Sequence, residues 1–325
     1  MTTLKDKYLA TVWGLHIGDA IWAPFETMNA DQVKTQLAAM DGLRFFAYEN
    51  PWPKDRNGRL LPAGRPTDDS DQAADLCYSL LQCNGIDQSH LREALRNSAI
   101  HGVSRLWKGQ ATGAGRTTRA MLGNDEEKRA YTLQHPLASN GSLMRSAPMA
   151  LWFGPTSTMD PTVYGTDYQM VKAMSEVTHT HPDSIAACWL YVRILRNALA
   201  GREINEVEVQ SGFDLRIGDY VVEIERGCGL PEDPGSFENG WGGAEYTLKV
   251  AIHAVLTTTS FEDCIRTVGL AGGDTDTYGA VAGALAGAIY GTRGIPKEWQ
   301  DTILGKKPMQ TFAEQIYKLR MESVV

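Results

Sequence analysis

The chain has 325 residues, enough for one large hydrophobic core or two ordinary ones. Hydrophobic residues make up 43% and charged residues 22%, the balance of a soluble globular protein, and the most apolar segment, Gly279 to Tyr290, is far too short for a membrane span of ~20 residues. The net charge of -8, without a Lys/Arg stripe, argues against direct binding of nucleic acid.

Helical signals dominate from the first residues onward. Leu4, Tyr8, Val12 and Leu15 recur at helical spacing and predict an amphipathic first helix. Lys5 and Lys7 precede an apolar stretch as in a signal peptide, but His16 and Asp19 interrupt it. The run from Gly14 ends at Pro24-Phe25-Glu26, a proline stop followed by a carboxylate. Ala47 to Pro66 reads as a loop, and Pro66-Thr67-Asp68-Asp69-Ser70-Asp71 as a helix N-terminus. Leu91 to Ile100 is helical and Gly154 to Asp167 a loop. His181-Pro182-Asp183 then opens a helix that stops at Gly201. Tyr220 to Ile224 is the best strand candidate, and Gly227 to Gly243 a further loop. Ser260 caps a helix, with Asp263 three residues on, and Thr311 to Met321 closes the helical pattern.

One helix has an odd composition. Gly279, Gly283, Gly287 and Gly291 fall four apart beside Ala280, Ala284 and Ala288. Each interior glycine costs a helix about 1 kcal/mol relative to alanine. Close backbone approach by a neighbouring helix is the expected compensation. The five cysteines (Cys77, Cys83, Cys188, Cys228 and Cys264) are odd in number and lack CxxC spacing. They argue against a disulfide framework or a thiolate zinc site and fit a reducing cytoplasm.

The chemistry gathers in two acidic clusters, Pro66-Thr67-Asp68-Asp69-Ser70-Asp71 and Gly272-Gly273-Asp274-Thr275-Asp276-Thr277. Either alone reads as a helix cap. Together they offer the hard oxygen ligands that Mg²⁺ or Mn²⁺ prefer. If the clusters meet, their carboxylates cannot all stay ionised without cations, and two ions roughly 3.5–4 Å apart would be a common solution.

In this order along the chain, the Gly18-Asp19 helix ending at Glu26, Thr67-Asp68-Asp69, Gly113-Ala114-Gly115-Arg116-Thr117-Thr118, Asn140-Gly141-Ser142-Leu143-Met144-Arg145, Thr178-His179 and Gly273-Asp274-Thr275-Asp276-Thr277 resemble the ADP-ribosylhydrolase family. The likeness spans about residues 8 to 300. It implies an all-α, compact single-domain fold over residues 1–325, with a two-magnesium cleft. Thr67, Asp68, Asp69, Asp274, Asp276 and Thr277 would be the metal ligands. Gly113, Gly115, Asn140, Gly141, Ser142, Met144 and His179 would contact ADP-ribose. Ser70 stands where the family often has threonine, which keeps a hydroxyl, and Trp22 sits close to a position where a small residue is common.

The resemblance implies Mg²⁺-dependent hydrolysis of the bond joining ADP-ribose to a target, with an ADP-ribosylated protein as substrate and ADP-ribose as product. Glu26 or Asp69 would manage the proton, and the residues do not decide between them. An arginine linkage is the first choice. Its planar cation would need aromatic faces or carboxylates at the cleft mouth, for which Trp22, Glu26, Glu238 and Trp241 are candidates. Alternative readings are a magnesium phosphohydrolase and a non-catalytic ADP-ribose-binding or structural member of the fold. An isoprenoid synthase is disfavoured, because Gln72 stands at position five where that first motif has aspartate.

Overall fold

The structure is a computed structural model that describes residues 2–40, 42–48, 61–107, 111, 113–155, 161–202, 217–237 and 240–322. In chain order its helices are α1 (Leu4–Trp22), α2 (Ala30–Ala39), α3 (Asp68–Cys83), α4 (Gln88–Ala99), α5 (Arg116–Leu122), α6 (Glu126–Gln134), α7 (Ala147–Phe153) and α8 (Pro161–Glu176). They continue as α9 (Pro182–Ala200), α10 (Ile217–Glu225), α11 (Ala244–Thr257), α12 (Phe261–Val268), α13 (Thr275–Tyr290), α14 (Lys297–Thr302) and α15 (Lys306–Tyr317). Among the described residues there are isolated bridges but no strand of a sheet. The fold is all-α.

The first helix departs from the amphipathic expectation. Every residue of α1 from Ala10 to Trp22 is buried, so no polar face meets water there. Helices surround it, and the most intimate of them is α13, which lies against it at backbone distance. A Cβ added to Gly14 would sit 2.0 Å from the Gly283 carbonyl oxygen, and one on Gly18 would sit 1.9 Å from that of Gly279. Gly287 makes the same approach to Ala10, whereas Gly291 leaves the stripe and ends the helix with φ +69°. The glycine spacing therefore has the packing reason expected of it. Close contact along the seam offsets the propensity penalty of each glycine.

Other boundaries follow their local signals. Asp87, His181 and Ser260 accept hydrogen bonds from first-turn N–H groups of α4, α9 and α12, and Gly201 ends α9 in the left-handed region. Two elements differ from expectation. Tyr220 to Ile224 belongs to α10, because Tyr220, Val221 and Ile224 are buried at helical spacing while Glu223 is exposed. The segment read as a loop to Asp167 turns helical at Pro161, a residue suited to a first turn. All five cysteines are unpaired. No described helix is long and apolar enough to cross a membrane.

Candidate active site

The starts of α3 and α13 and the end of α1 meet at the floor of a cleft of about 510 Å³, a volume suited to a nucleotide-sized ligand. Asp19 comes from the last turn of α1. It is fully buried and receives the Thr67 N–H at 2.9 Å, the Thr67 hydroxyl at 2.7 Å, the Ser70 N–H at 3.0 Å and the Ser70 hydroxyl at 2.5 Å. Thr67, the residue before α3, does not cap that helix with its own side chain. Asp19 does so from another helix, occupying the orphan amides and fixing where α3 begins.

That placement packs acids around one hydroxyl. The Thr67 oxygen lies 2.7 Å from Asp19 Oδ1, 3.2 Å from Asp69 Oδ2 and 3.3 Å from Asp276 Oδ2. One hydroxyl proton serves only one of these acceptors. Oxygens of Asp19, Asp69 and Asp276 lie within 4.8 Å of one another, as do those of Glu26, Asp274 and Asp276. Asp69 Oδ1 is buried and accepts no hydrogen bond from the described residues. Burial first, then neighbouring carboxylates, pushes the Asp68 carboxyl up to about 7 and those of Glu26, Asp69 and Asp276 well above the usual range. An all-oxygen set with an orphaned buried acceptor and mutually repelling acids fits hard divalent cations.

Glu26 is positioned through the backbone. Thr27 donates its N–H to the Gly273 carbonyl at 2.7 Å, and Gly273 donates to Met28 at 2.6 Å. These bonds tie the turn after α1 to the loop before α13, and they hold Thr27 at φ +73°, a strained region for a β-branched residue. Gly273 itself has φ +82°, and a Cβ there would strike the Trp241 ring at 2.5 Å.

Of the residues selected from sequence, Glu26, Asp68, Asp69, Asp274, Asp276 and Thr277 line the cleft floor, with Gly115, Asn140, Gly141, Met144 and His179 on its walls. Thr67 sits beneath the floor. Asn140 donates to Asp274 Oδ2 at 2.7 Å and to the Thr247 hydroxyl at 2.9 Å. Besides Thr67, two selected residues lie outside the lining. Gly113, at φ +85°, leaves room for the Asp68 carboxylate, and the buried Ser142 hydroxyl accepts from Ser175 at 2.9 Å.

The aromatic candidates are rearranged. Trp22 is wholly buried and donates to the Ile265 carbonyl at 2.7 Å. Trp241 packs over Gly273 and donates to Asp233 at 2.6 Å. Neither lines the cleft. Phe237 of the same loop does, while Glu238 lies outside the described residues.

The sequence pattern of the family described as ADP-ribosylglycohydrolase matches residues 1–324. The chain belongs to the ADP-ribosylglycohydrolase family. It is thereby a glycosidic-bond hydrolase. Among curated members of this ADP-ribosylglycohydrolase family it is 27% identical to the ADP-ribosyl-[dinitrogen reductase] glycohydrolase of Rhodospirillum rubrum, over 91% of this chain and 90% of the relative. It is also 27% identical to the ADP-ribosylarginine hydrolase Tri1 of Serratia proteamaculans, over 98% of this chain and 80% of that one. A solved structure titled ADP-ribosylglycohydrolase-related protein complex superposes with TM-score 0.67 at 27% identity, covering 99% of this chain and 100% of that one.

Two residues that shape this ADP-ribosylglycohydrolase site were not selected from sequence. Asp19 was visible in the Gly18-Asp19 pair, but nothing in one sequence shows that it caps a helix 48 residues away. Phe237 was hidden beside the more conspicuous Trp241.

Proposed function

We propose that this protein hydrolyses the glycosidic bond between ADP-ribose and an arginine side chain of a modified protein, in a magnesium-dependent reaction. The observation that carries the reading is the convergence of two acidic motifs, some 200 residues apart in sequence, at the floor of a nucleotide-sized cleft. Their chemistry would hold two ions, with Thr67, Asp68, Asp69, Asp274, Asp276 and Thr277 as ligands. Asp19 lies close enough to join them. When bound, the ions would offset the charge of an anionic ligand, orient the ribose hydroxyls and position a water.

The chain's own residues supply the rest. The floor is strongly acidic, which favours an oxocarbenium-like ribose as the bond breaks. Asn140 and His179 present polar groups to the ligand from the walls, and Met144 an apolar surface. Phe237 offers an aromatic face for a planar guanidinium on the leaving-group side. A relative named ADP-ribosylarginine hydrolase supports the arginine assignment, and one named for ADP-ribosyl-[dinitrogen reductase] supports a modified protein as substrate.

The deciding experiment compares ADP-ribose release from matched arginine- and serine-linked peptides, each with magnesium and with excess chelator. Cleavage of the arginine conjugate, lost on chelation and regained with magnesium or manganese, is expected. Cleavage of the serine conjugate alone rejects the linkage, and full activity in chelator rejects the ion requirement.

Glu26 takes the proton from the attacking water in this scheme. It is half-buried and reaches the cleft from outside both acidic motifs, whereas Asp69 lines the floor at only 2% exposure. Glu26→Gln should lower kcat by about 10²–10⁴-fold, the usual range for loss of a general base, and keep ADP-ribose binding. Asp69→Asn should instead weaken the magnesium dependence of binding. Unchanged kcat in Glu26→Gln would move the base elsewhere.

A further inference from the structure

A buried chain of side chains joins the acidic floor to the cleft wall. Gln72, one turn into α3, donates from Nε2 to Asp68 Oδ2 at 2.9 Å. Its Oε1 accepts from Arg145 Nη1 at 2.8 Å. Arg145 Nη2 donates to the Thr178 hydroxyl oxygen at 2.7 Å, and that hydroxyl lies 2.7 Å from His179 Nδ1. Arg145 also donates to the Gly141 carbonyl at 3.2 Å. Arg145 is 0% exposed, and its recorded partners are neutral oxygens.

The direction of every bond in this chain follows from the guanidinium. Arginine only donates, so Gln72 must turn Oε1 toward it and Nε2 toward Asp68. By the same rule the Thr178 oxygen is an acceptor toward Arg145. The hydroxyl proton then has one described acceptor, His179 Nδ1. The opposite arrangement, with the proton on Nδ1, would leave the buried Thr178 proton without a described partner.

We propose that Arg145, acting through Thr178, is a positioning residue that fixes His179 as the neutral tautomer carrying its proton on Nε2, so that the cleft wall presents an N–H donor to an anionic or hydroxyl oxygen of the ligand. The ring edge that carries Nε2 faces Gly141 and the cleft. A Cβ on Gly141 would lie 2.8 Å from His179 Cε1 and 2.9 Å from Nε2, so the glycine clears the space beside the donor. No described residue accepts from Nε2. Burial, and then the Arg145 charge, hold the imidazole down to about 3, which keeps the ring neutral. Gln72 extends the same polarised chain to Asp68, so the donor on the wall and a carboxylate of the floor are held in one register.

The binding half of this inference rests on the proposed ADP-ribose reading; the tautomer does not. The test uses full-length protein labelled with ¹⁵N-histidine, its His179 signal assigned by loss in His179→Gln. Long-range ¹H–¹⁵N correlation should show Nε2 protonated and Nδ1 bare in the ligand-free wild type. Thr178→Val removes the hydroxyl at nearly constant shape, and should mix or invert the tautomers. It should also weaken ADP-ribose binding about tenfold, the scale of one lost hydrogen bond. Thr178→Ser should restore both. Protonated Nδ1 in the wild type, or an unchanged spectrum in Thr178→Val, overturns the proposal. A spectrum that responds as stated without any ADP-ribose binding by the wild type would instead reject the ligand assignment.

Discussion

Asp274→Ala is expected to abolish ADP-ribose release while leaving the helical fold in place. Asp274 is the residue just before α13, and its carboxylate faces Asp276 and Glu26 within 4.8 Å. Burial raises its proton affinity, and the Asn140 hydrogen bond only partly offsets this. Without cations the wild-type floor therefore carries mutual repulsion that folding must overcome, and removing one acid relieves part of it. The metal-free variant should melt no lower than the metal-free wild type. With magnesium the order should reverse, because a ligand at 100-fold its Kd stabilises by about 2.7 kcal/mol and the variant forfeits that gain. Asp68→Ala should behave alike. Calorimetric melting with and without magnesium, beside a turnover assay, checks both halves. Full turnover in Asp274→Ala, or an equal magnesium shift in variant and wild type, would reject the assigned centre.

The second large effect is structural. Gly283→Val should destabilise the protein by about 4 kcal/mol or more, beyond the ordinary range of single substitutions. A Cβ at this position lies 2.1 Å from the Gly14 carbonyl oxygen, a backbone atom with no rotamer by which to move aside. Relief requires α1 and α13 to separate, which opens voids along the centre of the core. Even Gly283→Ala should lose stability, although alanine favours an isolated helix by about 1 kcal/mol. Urea unfolding monitored by circular dichroism measures the difference. An alanine variant as stable as the wild type would mean that the seam yields more easily than its geometry indicates.

Much of this was legible in the sequence, for identifiable reasons. Local chemistry decides helix ends, so His181, Ser260 and Gly201 mark theirs in any context. The glycine stripe was readable because its penalty demands a compensating neighbour. Features fixed by distant partners were not. The β-branched and aromatic residues at 220–224 suit a strand locally, and burial on one side of α10 overrides that preference. The polar face expected of α1 is absent because helices surround it, which no residue of α1 states. Trp241 was conspicuous by size, yet its ring fills the space over Gly273 and leaves the cleft to Phe237.

The seam between α1 and α13 also bears on how the protein is made. The two helices are separated by some 250 residues of chain, so α1 is synthesised long before its main partner. At 5–20 residues per second, roughly 13–50 s pass between the end of α1 and the emergence of α13. Through that interval Val12, Leu15, Ile17, Ile21 and Trp22, all buried in the finished fold, have no α13 to cover them. The wait exposes the nascent chain to self-association and to holding chaperones. The acidic floor, which needs Asp19 from one partner and Asp276 from the other, comes into being only after α13 has been made.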